Sequence, residues 1–359
     1  MRQHALYCVL LLQYGSGFAL QPIHRHASLR SHRVALTTNL VIQSPIHQRS
    51  SGPMLVAQRR ESFMLPDWLV TGFIIACWYG ASIVCNQSSK VLLSSAGVSA
   101  SGLTLAQFCI SSVISAALLG LRLVEYTPVA SAGQWCDTAL CAVAVTAGFG
   151  LLNSCVSAMH VSLVMVLRAA EPVFTLLLAA LLLPKSALPS SSKAMALVAV
   201  VAGAGLSSAG AHSPSALGLA LVAACNVCFA ARGIISKRLA AAYTTDACSE
   251  FFHLCILGAV LQAFSILFST VALGAPLPAP PPAAHVPTLL KSGVAFFAYN
   301  QLSWVCLSRM SAVSHSLYNS LRRPATVVAA LAYNPMPLAA HNVAGLVLAC
   351  LGALLYGIL

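Results

Sequence analysis

The sequence predicts an all-α polytopic membrane protein in which ten transmembrane helices form two inverted five-helix repeats. The first observation is composition: of 359 residues, 58% are hydrophobic and 7% are charged, whereas soluble domains carry about 25% charged residues. The second is a series of ten apolar segments, each close to the ~20 residues that a helix needs to cross a bilayer. The third is a pair of matching charged clusters in the fourth and ninth segments, five segments apart. Because five is odd, the second half would enter the membrane with the opposite orientation.

The N-terminal residues have the character of a targeting leader rather than of the folded protein. Residues 1–19 are predicted to be a signal peptide, because a basic start precedes the apolar run Ala5–Leu12, which is too short to span a bilayer. Residues 20–60 contain arginine, histidine and serine but no acidic residue, which is typical of a transit peptide or disordered leader. The alternative is an ordinary signal peptide followed by a disordered loop. Both interpretations place the folded domain at residues 67–359.

The apolar segments are separated by turn-forming or polar residues. They cover residues 68–93, 99–122, 134–156, 159–184, 192–210, 214–238, 248–274, 288–308, 311–333 and 340–358. Eight basic residues at or beyond the segment ends fall on the side that holds the N-terminus, whereas only Lys90 and Lys291 fall on the other side. This asymmetry is the one that the positive-inside rule describes. Both ends of the mature chain are therefore expected on the same side of the membrane.

The fourth segment carries the stretch Arg168-Ala-Ala-Glu-Pro172 inside an apolar run. An ionisable residue at mid-depth costs about 2.5–3.5 kcal/mol on insertion scales, so it faces a cavity or a partner and is a candidate for function. Arg168 and Glu171 are three residues apart and share a helix face. We expect Arg168 to face the cavity and Glu171 to be its structural partner, beside a helix break at Pro172. The alternative is an internal ion pair that only neutralises both charges.

The ninth segment carries Arg322 and Arg323, followed directly by a proline. No acidic residue occurs between Glu250 and the C-terminus. Two adjacent guanidinium groups without a nearby carboxylate are costly in a membrane, and an anion from solution would relieve that cost. Arginine suits phosphate because its planar fork donates two parallel hydrogen bonds. The sequence therefore predicts that this pair and Arg168 are matching halves of one anion site; the alternative is that one of the pair extends to the interface.

Further polar residues within the spans are open to two interpretations. Arg232, in the sixth segment, belongs either to the site or to the membrane interface. Tyr299 with the two amides that follow it, and Asn153, are candidates either as donors to a substrate or as hydrogen bonds between helices. Small residues such as Gly203 and Gly352 indicate close helix packing.

The sequence predicts neither an enzyme nor a cofactor. The chain lacks a glycine-rich nucleotide loop and a metal-binding spacing of histidine and cysteine, and most of its 13 cysteines lie in apolar runs. Glu171 is the only acidic residue deep in a predicted span. The net charge of +12 comes from the leader and the transmembrane region, so it does not require nucleic acid binding. The expected partners are an anionic small molecule and the lipid bilayer.

Four stretches in order resemble the plastidic phosphate translocator family, which includes the triose-phosphate/phosphate translocators, within the drug/metabolite transporter superfamily. The stretches are Trp78-Tyr79 with Asn86-Gln-Ser-Ser-Lys90, Arg168-Ala-Ala-Glu-Pro172, Asn226-Val-Cys-Phe-Ala-Ala-Arg232, and Tyr299-Asn-Gln301 with Asn319-Ser-Leu-Arg-Arg323. The similar family patterns are Trp-Tyr with Asn-Lys-Lys, Lys-Ala-x-Glu-Pro, Asn-Ile-Ser-Phe-Thr-Tyr-Arg, and Tyr-Asn-Gln with Asn-x-x-Lys-Arg. The resemblance extends over residues 70–358, and the order and spacing of the four stretches make the set specific.

The resemblance implies a strict antiporter that exchanges a phosphorylated metabolite for inorganic phosphate. Carried over by motif, the phosphate would be held by Arg168, Arg322 and Arg323. A second set of three residues is implied to contact the rest of the substrate: Phe229, Arg232 and Tyr299. An empty site with three unpaired cations is costly to move through a bilayer, so only the loaded carrier is expected to change sides.

The chain also departs from the family pattern. It has arginine at positions 168 and 322, where the family has lysine, so a permanently charged bidentate fork replaces a point charge. The histidine that triose-phosphate members carry late in the third helix corresponds to Phe149, and the nearby hydroxyl position corresponds to Leu152. The site thereby loses polar donors on that side. This argues against specificity for triose phosphate and leaves the carbon skeleton of the substrate open.

The leader indicates where the protein is located. Phe18, within Gly15-Ser-Gly-Phe-Ala-Leu-Gln-Pro22, resembles the aromatic residue after the cleavage point in bipartite leaders of algae with secondary red plastids. The resemblance implies that a sugar-phosphate transporter domain, residues 67–359, lies in the envelope of a complex plastid. Two alternatives stay open: a nucleotide-sugar transporter of the Golgi or endoplasmic reticulum with the same fold, and a nontransporting membrane protein such as a receptor or scaffold. A plastid leader would argue against the first, and the adjacent arginines argue against the second.

Overall fold

The computed structural model describes residues 67–182, 191–207, 215–243, 245–309, 312–333 and 339–359. The predicted leader, residues 1–19 and 20–60, lies outside the described residues. The described part contains no strand, so the all-α prediction is confirmed. Its helices are α1 (Asp67–Ser94), α2 (Ala100–Gly120), α3 (Ala132–Ala158), α4 (Val161–Arg168), α5 (Glu171–Leu182), α6 (Ser191–Ser207), α7 (Ala216–Ala242), α8 (Ala247–Leu273), α9 (Val286–Arg309), α10 (Ala312–Tyr333) and α11 (Ala340–Ile358).

Each predicted apolar segment corresponds to one helix, except for the fourth, which is divided into α4 and α5 by Ala169 and Ala170. At this break the N–H of Ala169 donates to the carbonyl of Val166 at 2.9 Å, which is the tighter hydrogen-bond pattern of a 3₁₀ turn. Pro172 is the second residue of α5 and has no N–H with which to continue the hydrogen-bond ladder from α4. The predicted helix break at the proline is therefore present.

Five helices of the described part are long and apolar enough to cross a bilayer: α1, α2, α3, α8 and residues Ala216–Ser236 of α7. Such lengths exceed or match the ~20 residues that a spanning helix needs. The chain is therefore a polytopic membrane protein. That the other apolar segments also cross the membrane, which would make ten spans, stays a prediction.

Helix packing brings the two halves of the chain together. Pairs of packed helices that join the two halves include α1 with α9, α3 with α7, α2 with α8, α4 with α10 and α6 with α11. The first half contains α1 to α6, with α4 and α5 counted as one segment, and the second half contains α7 to α11. When each helix is replaced by its counterpart in the other half, the pair α1 with α9 becomes the pair α7 with α3. Each of the other three pairs is converted into itself. The inverted repeat itself stays a prediction.

Glycine residues allow α6 and α11 to approach each other closely. A Cβ atom on Gly203 of α6 would lie 2.8 Å from the Cα atom of Ala349 on α11. A Cβ atom on Gly352 of α11 would lie 2.8 Å from the backbone nitrogen of Val200. Both distances are shorter than real Cβ contacts allow, so the backbones pack where only glycine fits. The predicted role of these two glycines in packing agrees with this contact.

A neutral network of side chains joins α1, α2, α3 and α9, and we call it the amide network: Gln107, Asn153, Thr104, Ser89 and Ser292. The Gln107 amide nitrogen donates to the hydroxyls of Ser89 at 3.1 Å and Ser292 at 3.0 Å. The Asn153 amide nitrogen donates to Thr104 Oγ1 at 2.9 Å and to Gln107 Oε1 at 3.1 Å. All five residues are buried. Of the two interpretations of Asn153, the structure therefore favours hydrogen bonding between helices.

Candidate functional site

The helix break places two charged side chains opposite α10. Arg168 is the last residue of α4 and Glu171 is the first residue of α5. Glu171 Oε2 accepts hydrogen bonds from Arg168 Nη2 at 2.9 Å and from Arg323 Nη2 at 2.6 Å. Arg168 and Arg323 are each only 7% exposed. One carboxylate oxygen thus joins arginines from the two halves of the chain, which brings together the two stretches predicted to form one site.

Arg322 lies beside this ion pair and is anchored by neutral partners. Its Nη1 donates to Ser82 Oγ at 2.8 Å and its Nη2 donates to Asn319 Oδ1 at 3.2 Å. Its guanidinium carbon lies 5.5 Å from the ring centroids of both Trp78 and Tyr299. No described residue accepts a hydrogen bond from its buried Nε. Arg322 therefore points into the helix bundle, is held in position, and retains capacity to bind an anion.

We call Arg168, Glu171, Arg322 and Arg323 the arginine cluster. Three guanidinium groups against one carboxylate leave it with two positive charges. The expectation of three unpaired cations is wrong in one respect, because Arg168 and Arg323 are both paired with Glu171. The physical reason is that the helix break turns the Glu171 side chain toward both neighbours at once. A buried site with two net positive charges still favours an anion.

The ring of Phe229, on α7, packs against Arg168 of the cluster and lies near Arg232. The guanidinium carbon of Arg168 lies 4.2 Å from the Phe229 ring centroid, and that of Arg232 lies 5.7 Å from it. Both separations are within the range of cation–π attraction. A Cβ atom on Gly148 of α3 would lie 3.1 Å from the ring, so the glycine leaves the space that Phe229 occupies. The structure therefore brings Phe229 and Arg232, both implied by the resemblance, beside the predicted anion site.

Tyr299 belongs to a group of packed rings that lies between the two arginine-bearing sides of the site. Phe149 of α3 contacts Phe229 at 5.0 Å, Phe296 at 4.6 Å and Tyr299 at 6.4 Å between ring centroids, each in an edge-to-face arrangement. We call Phe229, Phe149 and Tyr299 the aromatic row. Arg168 lies over the ring at one end of this row and Arg322 lies near the ring at the other end, so the row is an apolar surface beside the cluster.

Two residues that orient Arg322 were not identified as site residues from the sequence. Ser82 lies four residues after Trp78 on α1, so the two share a helix face, and both contact Arg322. Asn319 lies three residues before Arg322 on α10 and shares its face in the same way. The periodicity of α1 could have identified Ser82, because Trp78 was already part of a motif.

Pro172, the other predicted structural partner, is the second residue of α5 and directly follows Glu171 after the break between α4 and α5.

Comparison with known proteins decides the family. The model of the Triose-phosphate Transporter family matches residues 69–357, nearly all of the chain after the predicted leader. This chain belongs to that family. The predicted resemblance is therefore confirmed, and the chain is a transporter by its family.

Curated relatives of the chain include several plastid translocators. The Phosphoenolpyruvate/phosphate translocator 1, chloroplastic, of Arabidopsis thaliana is 27% identical over 82% of this chain and 73% of that protein. The Triose phosphate/phosphate translocator, non-green plastid, chloroplastic, of Brassica oleracea var. botrytis is 26% identical over 80% of this chain and 72% of that protein. The Glucose-6-phosphate/phosphate translocator 1, chloroplastic, of Arabidopsis thaliana is 24% identical over 94% of this chain and 87% of that protein.

Chloroplast translocators as relatives, together with the apolar helices, identify the chain as a multi-pass integral membrane protein of the plastid envelope. A solved crystal structure agrees on the fold alone. It superposes with a TM-score of 0.53 at 16% identity and covers 79% of this chain and 95% of that chain.

Proposed function

We propose that the protein is an antiporter, not an enzyme, and that it exchanges a phosphorylated metabolite for inorganic phosphate across a plastid envelope membrane. The observation that carries this proposal is the arginine cluster, in which α4, α5 and α10 bring together three arginines and one carboxylate within the described helix bundle. A phosphate monoester carries about two negative charges near neutral pH, since its second pKa is about 6. That charge equals the two positive charges that the cluster leaves uncompensated.

In this mechanism the phosphate group competes with Glu171 for Arg168 and Arg323. Arg322 makes the first contact, because it is the arginine of the cluster that is not paired with Glu171 and its Nε has no hydrogen-bond partner among the described residues. The phosphate then takes hydrogen bonds from the guanidinium groups of the other two arginines, which offer planar forks that suit its oxygens. Glu171 keeps both side chains in place between transport events, so that the site does not need to be rebuilt when a substrate arrives.

Strict exchange follows from the charge of the empty site. Two net charges moved through the low-dielectric bilayer cost several kcal/mol, at about 2.5–3.5 kcal/mol per charge on insertion scales. Bound phosphate or a phosphate ester cancels that charge and removes the cost. Only the loaded protein then changes between its two orientations, so each substrate that leaves is replaced by another.

Alternating access in this proposal uses ten spans and an inverted two-fold repeat. The pairs α1 with α9 and α3 with α7, which change places when the halves are exchanged, support this arrangement. Transporters with inverted repeats bind their substrate between the repeats, where broken helices present side chains and helix ends. The break between α4 and α5 and its contact with α10 agree with a site of that kind.

The proposal also assigns a role to each part of the chain. Residues 1–19 and 20–60 direct the protein to the plastid and are removed, and residues 67–359 form the sugar-phosphate transporter domain.

The organic part of the substrate lies near Phe229, Arg232 and Tyr299, since these residues lie beside the arginine cluster. The chloroplast translocators named above, which their names pair with phosphate, support a phosphorylated metabolite as the second substrate.

Counter-exchange in liposomes tests the function directly. The purified chain without its predicted leader would be reconstituted with and without internal phosphate, and uptake of labelled phosphate would be measured. We expect uptake only into vesicles that contain phosphate or a phosphorylated competitor. Uptake into empty vesicles at the same rate would contradict antiport. Uptake of a nucleotide sugar without any phosphate exchange would favour the nucleotide-sugar transporter, and no flux of any kind would favour a nontransporting protein.

A further inference from the structure

A cavity of about 380 Å³ lies between α2, α3 and α8, away from the arginine cluster. Its lining includes Val143, which is 52% exposed, and Ala147 and Ser265, which are also exposed. All three helices are long and apolar enough to cross a bilayer. A cavity bordered by exposed residues of such helices opens toward lipid.

The cavity and the aromatic row lie on different sides of α3. Thr146 lines the cavity, whereas Gly148 faces the ring of Phe229. Two residues that are two positions apart on an α-helix point about 160° apart. A ligand in the cavity would therefore contact α3 on the side away from the proposed phosphate site.

Two buried polar groups of the cavity lack hydrogen-bond partners in the part of the chain that the structure describes. Thr146 is 6% exposed, and its hydroxyl has no partner there. Gln262 of α8 is also 6% exposed, and its amide makes no hydrogen bond to another described residue. A Cβ atom on Gly150 would lie 3.7 Å from Gln262 Oε1, so the amide lies against the turn of α3 that carries Thr146. Unmet polar groups are costly in hydrocarbon, where water is scarce, so a polar group of a ligand would be bound favourably here.

The depth of the cavity restricts the kind of ligand. Thr146 and Gln262 lie near the middle of α3 and α8, whereas Ser101 is the second residue of α2 and Ser154 lies four residues before the end of α3. The cavity therefore extends from one membrane surface to about mid-depth. None of the ten described residues that line it is charged. A charged head group at mid-depth would be costly without a countercharge, so the cavity suits an uncharged ligand.

We propose that this cavity binds a neutral lipid that carries hydroxyl and ester carbonyl groups, as a diacylglycerol does. The Gln262 amide can donate to a carbonyl and accept from a hydroxyl, and the Thr146 hydroxyl can do either. The exposed side chains of Val143 and Ala147 would contact an acyl chain. The volume lies within the range of about 300–1,000 Å³ of small-molecule sites, which are mostly apolar with a few polar groups. The inference does not depend on the proposed exchange function.

Thermal unfolding in detergent tests whether the cavity selects a neutral lipid. The purified full-length chain would be titrated with dioleoylglycerol, and separately with dioleoylphosphatidylcholine, which has the same acyl chains on a charged head group. We expect dioleoylglycerol to raise the Tm by about 3 °C, because a ligand that binds only the folded protein stabilises it. The phospholipid should raise it by less than half as much. An equal rise with both lipids, or no rise with dioleoylglycerol, as for a cavity that holds only water, would overturn the proposal.

Gln262→Leu tests whether the amide holds the lipid. The substitution removes a polar group without a partner, so the Tm without added lipid should not fall. The concentration of dioleoylglycerol that gives half of the Tm rise should increase by about 5-fold, since one hydrogen bond to the ligand is lost. Thr146→Val should act in the same direction and replaces Gln262→Leu if that variant does not fold. Thr270→Val is the matched control, because it removes a buried hydroxyl without a partner from α8 that does not line the cavity. An unchanged response to dioleoylglycerol in Gln262→Leu, or an equal loss in Thr270→Val, would contradict the proposed site.

Photolabelling locates the lipid. A diacylglycerol with a photoreactive group on one acyl chain would be added to the protein in phosphatidylcholine liposomes, and the labelled residues would be identified by mass spectrometry. We expect labels on residues 143–154 of α3 and 261–265 of α8, with about 5-fold less labelling in Gln262→Leu. Labels spread evenly over the exposed residues of all described helices would show contact with bulk lipid and reject a specific site.

Discussion

Two polar clusters lie within the helix bundle, and they differ in charge rather than in polarity. In the amide network, the described hydrogen bonds join neutral groups on four helices: the Gln107 and Asn153 amides donate to hydroxyls and to each other. In the arginine cluster, two of the three cations share one carboxylate, and the Nε atoms of Arg168 and Arg322 find no acceptor among the described residues. The first cluster is complete with its own atoms. The second has two positive charges that its own carboxylate does not neutralise.

This difference shows which buried polar residues mark a binding site. Hydrogen bonds between neutral side chains stabilise helix association by about 0.6 kcal/mol on average in a membrane, and they need no ligand. Uncompensated charge is much more costly there, so it is retained only where something else neutralises it. Asn153 and Arg322 are both polar side chains at depth, so polarity alone does not show which of them belongs to a binding site. The positive charge of Arg322, which its neutral partners do not compensate, distinguishes it from Asn153.

Among the substitutions that test this comparison, Arg322→Ala should have the largest effect on transport. We expect phosphate exchange to fall by about 100-fold or more, since the loss of a buried charge-assisted contact costs roughly 2–5 kcal/mol. Labelled phosphate uptake into phosphate-loaded liposomes measures the effect. The control is Arg238→Gln, which also removes one positive charge, but from a 70% exposed side chain that pairs with Asp137 away from the cluster. Full exchange in Arg322→Ala would show that the cluster is not the phosphate site.

Glu171→Gln should separate binding from transport. Without the carboxylate, Arg168 and Arg323 are free for phosphate, so the KM for phosphate should fall, whereas one positive charge stays uncompensated in the loaded site. We expect the maximal rate to fall by about 10-fold, because a residual charge opposes movement through the bilayer. Initial rates over a range of external phosphate concentrations measure both quantities. Glu171→Asp keeps the charge and should recover part of the rate; a rate in Glu171→Gln equal to the wild-type rate would reject the competition between Glu171 and phosphate.

Gly148→Ala tests the support beneath Arg168. The added methyl group would lie 3.1 Å from the Phe229 ring and displace it. Cation–π contacts of a desolvated arginine are worth about 2 kcal/mol or more, and the ring is displaced rather than removed, so we expect the KM for phosphate to rise by about 5-fold. Gly150→Ala is a matched control on the same helix, because its methyl group would lie 3.7 Å from Gln262 at ordinary contact distance. An equal effect of both substitutions would indicate a general change in α3 rather than displacement of Phe229.

Gln107→Leu should have the smallest effect on transport. It removes one hydrogen bond each from Ser89, Ser292 and Asn153, whereas the contact between the two serines and the bond from Asn153 to Thr104 are kept. We expect stability to fall by about 1–3 kcal/mol, seen as a lower Tm in detergent, with the KM for phosphate unchanged. Ser269→Ala, which removes only an exposed hydroxyl bound to its own helix, serves as the control for Tm. A large rise in KM for Gln107→Leu would place the amide network in the binding site.

Local features of the site could be predicted from the sequence because they depend on helix spacing. The interval of three residues between Arg168 and Glu171 predicts their ion pair, which the structure contains at 2.9 Å. The proline after Glu171 predicts the break between α4 and α5. The two charged stretches were expected to meet because each places arginine and proline in an apolar segment, and the pair Arg322 and Arg323 has no acidic residue in its own helix.

Contacts between distant parts of the chain could not be predicted in the same way. The hydrogen bond from Arg323 to Glu171 joins residues 152 positions apart, and that from Arg322 to Ser82 joins residues 240 positions apart. Sequence periodicity defines the face of a helix but not the helix that it meets. The partner of Asn153 was left open for that reason, since an amide at depth serves equally well for a substrate or for a neighbouring helix.

The single carboxylate shared by Arg168 and Arg323 has a consequence for how the protein responds to the membrane potential. One elementary charge moved across 100 mV gains or loses about 2.3 kcal/mol. In the proposed mechanism a divalent phosphate bound at the arginine cluster leaves no net charge there, so a voltage across the envelope neither drives nor slows the step that carries it. Exchange of phosphate for phosphate would then run at the same rate in polarised and unpolarised vesicles, and Glu171→Gln would make that rate sensitive to voltage.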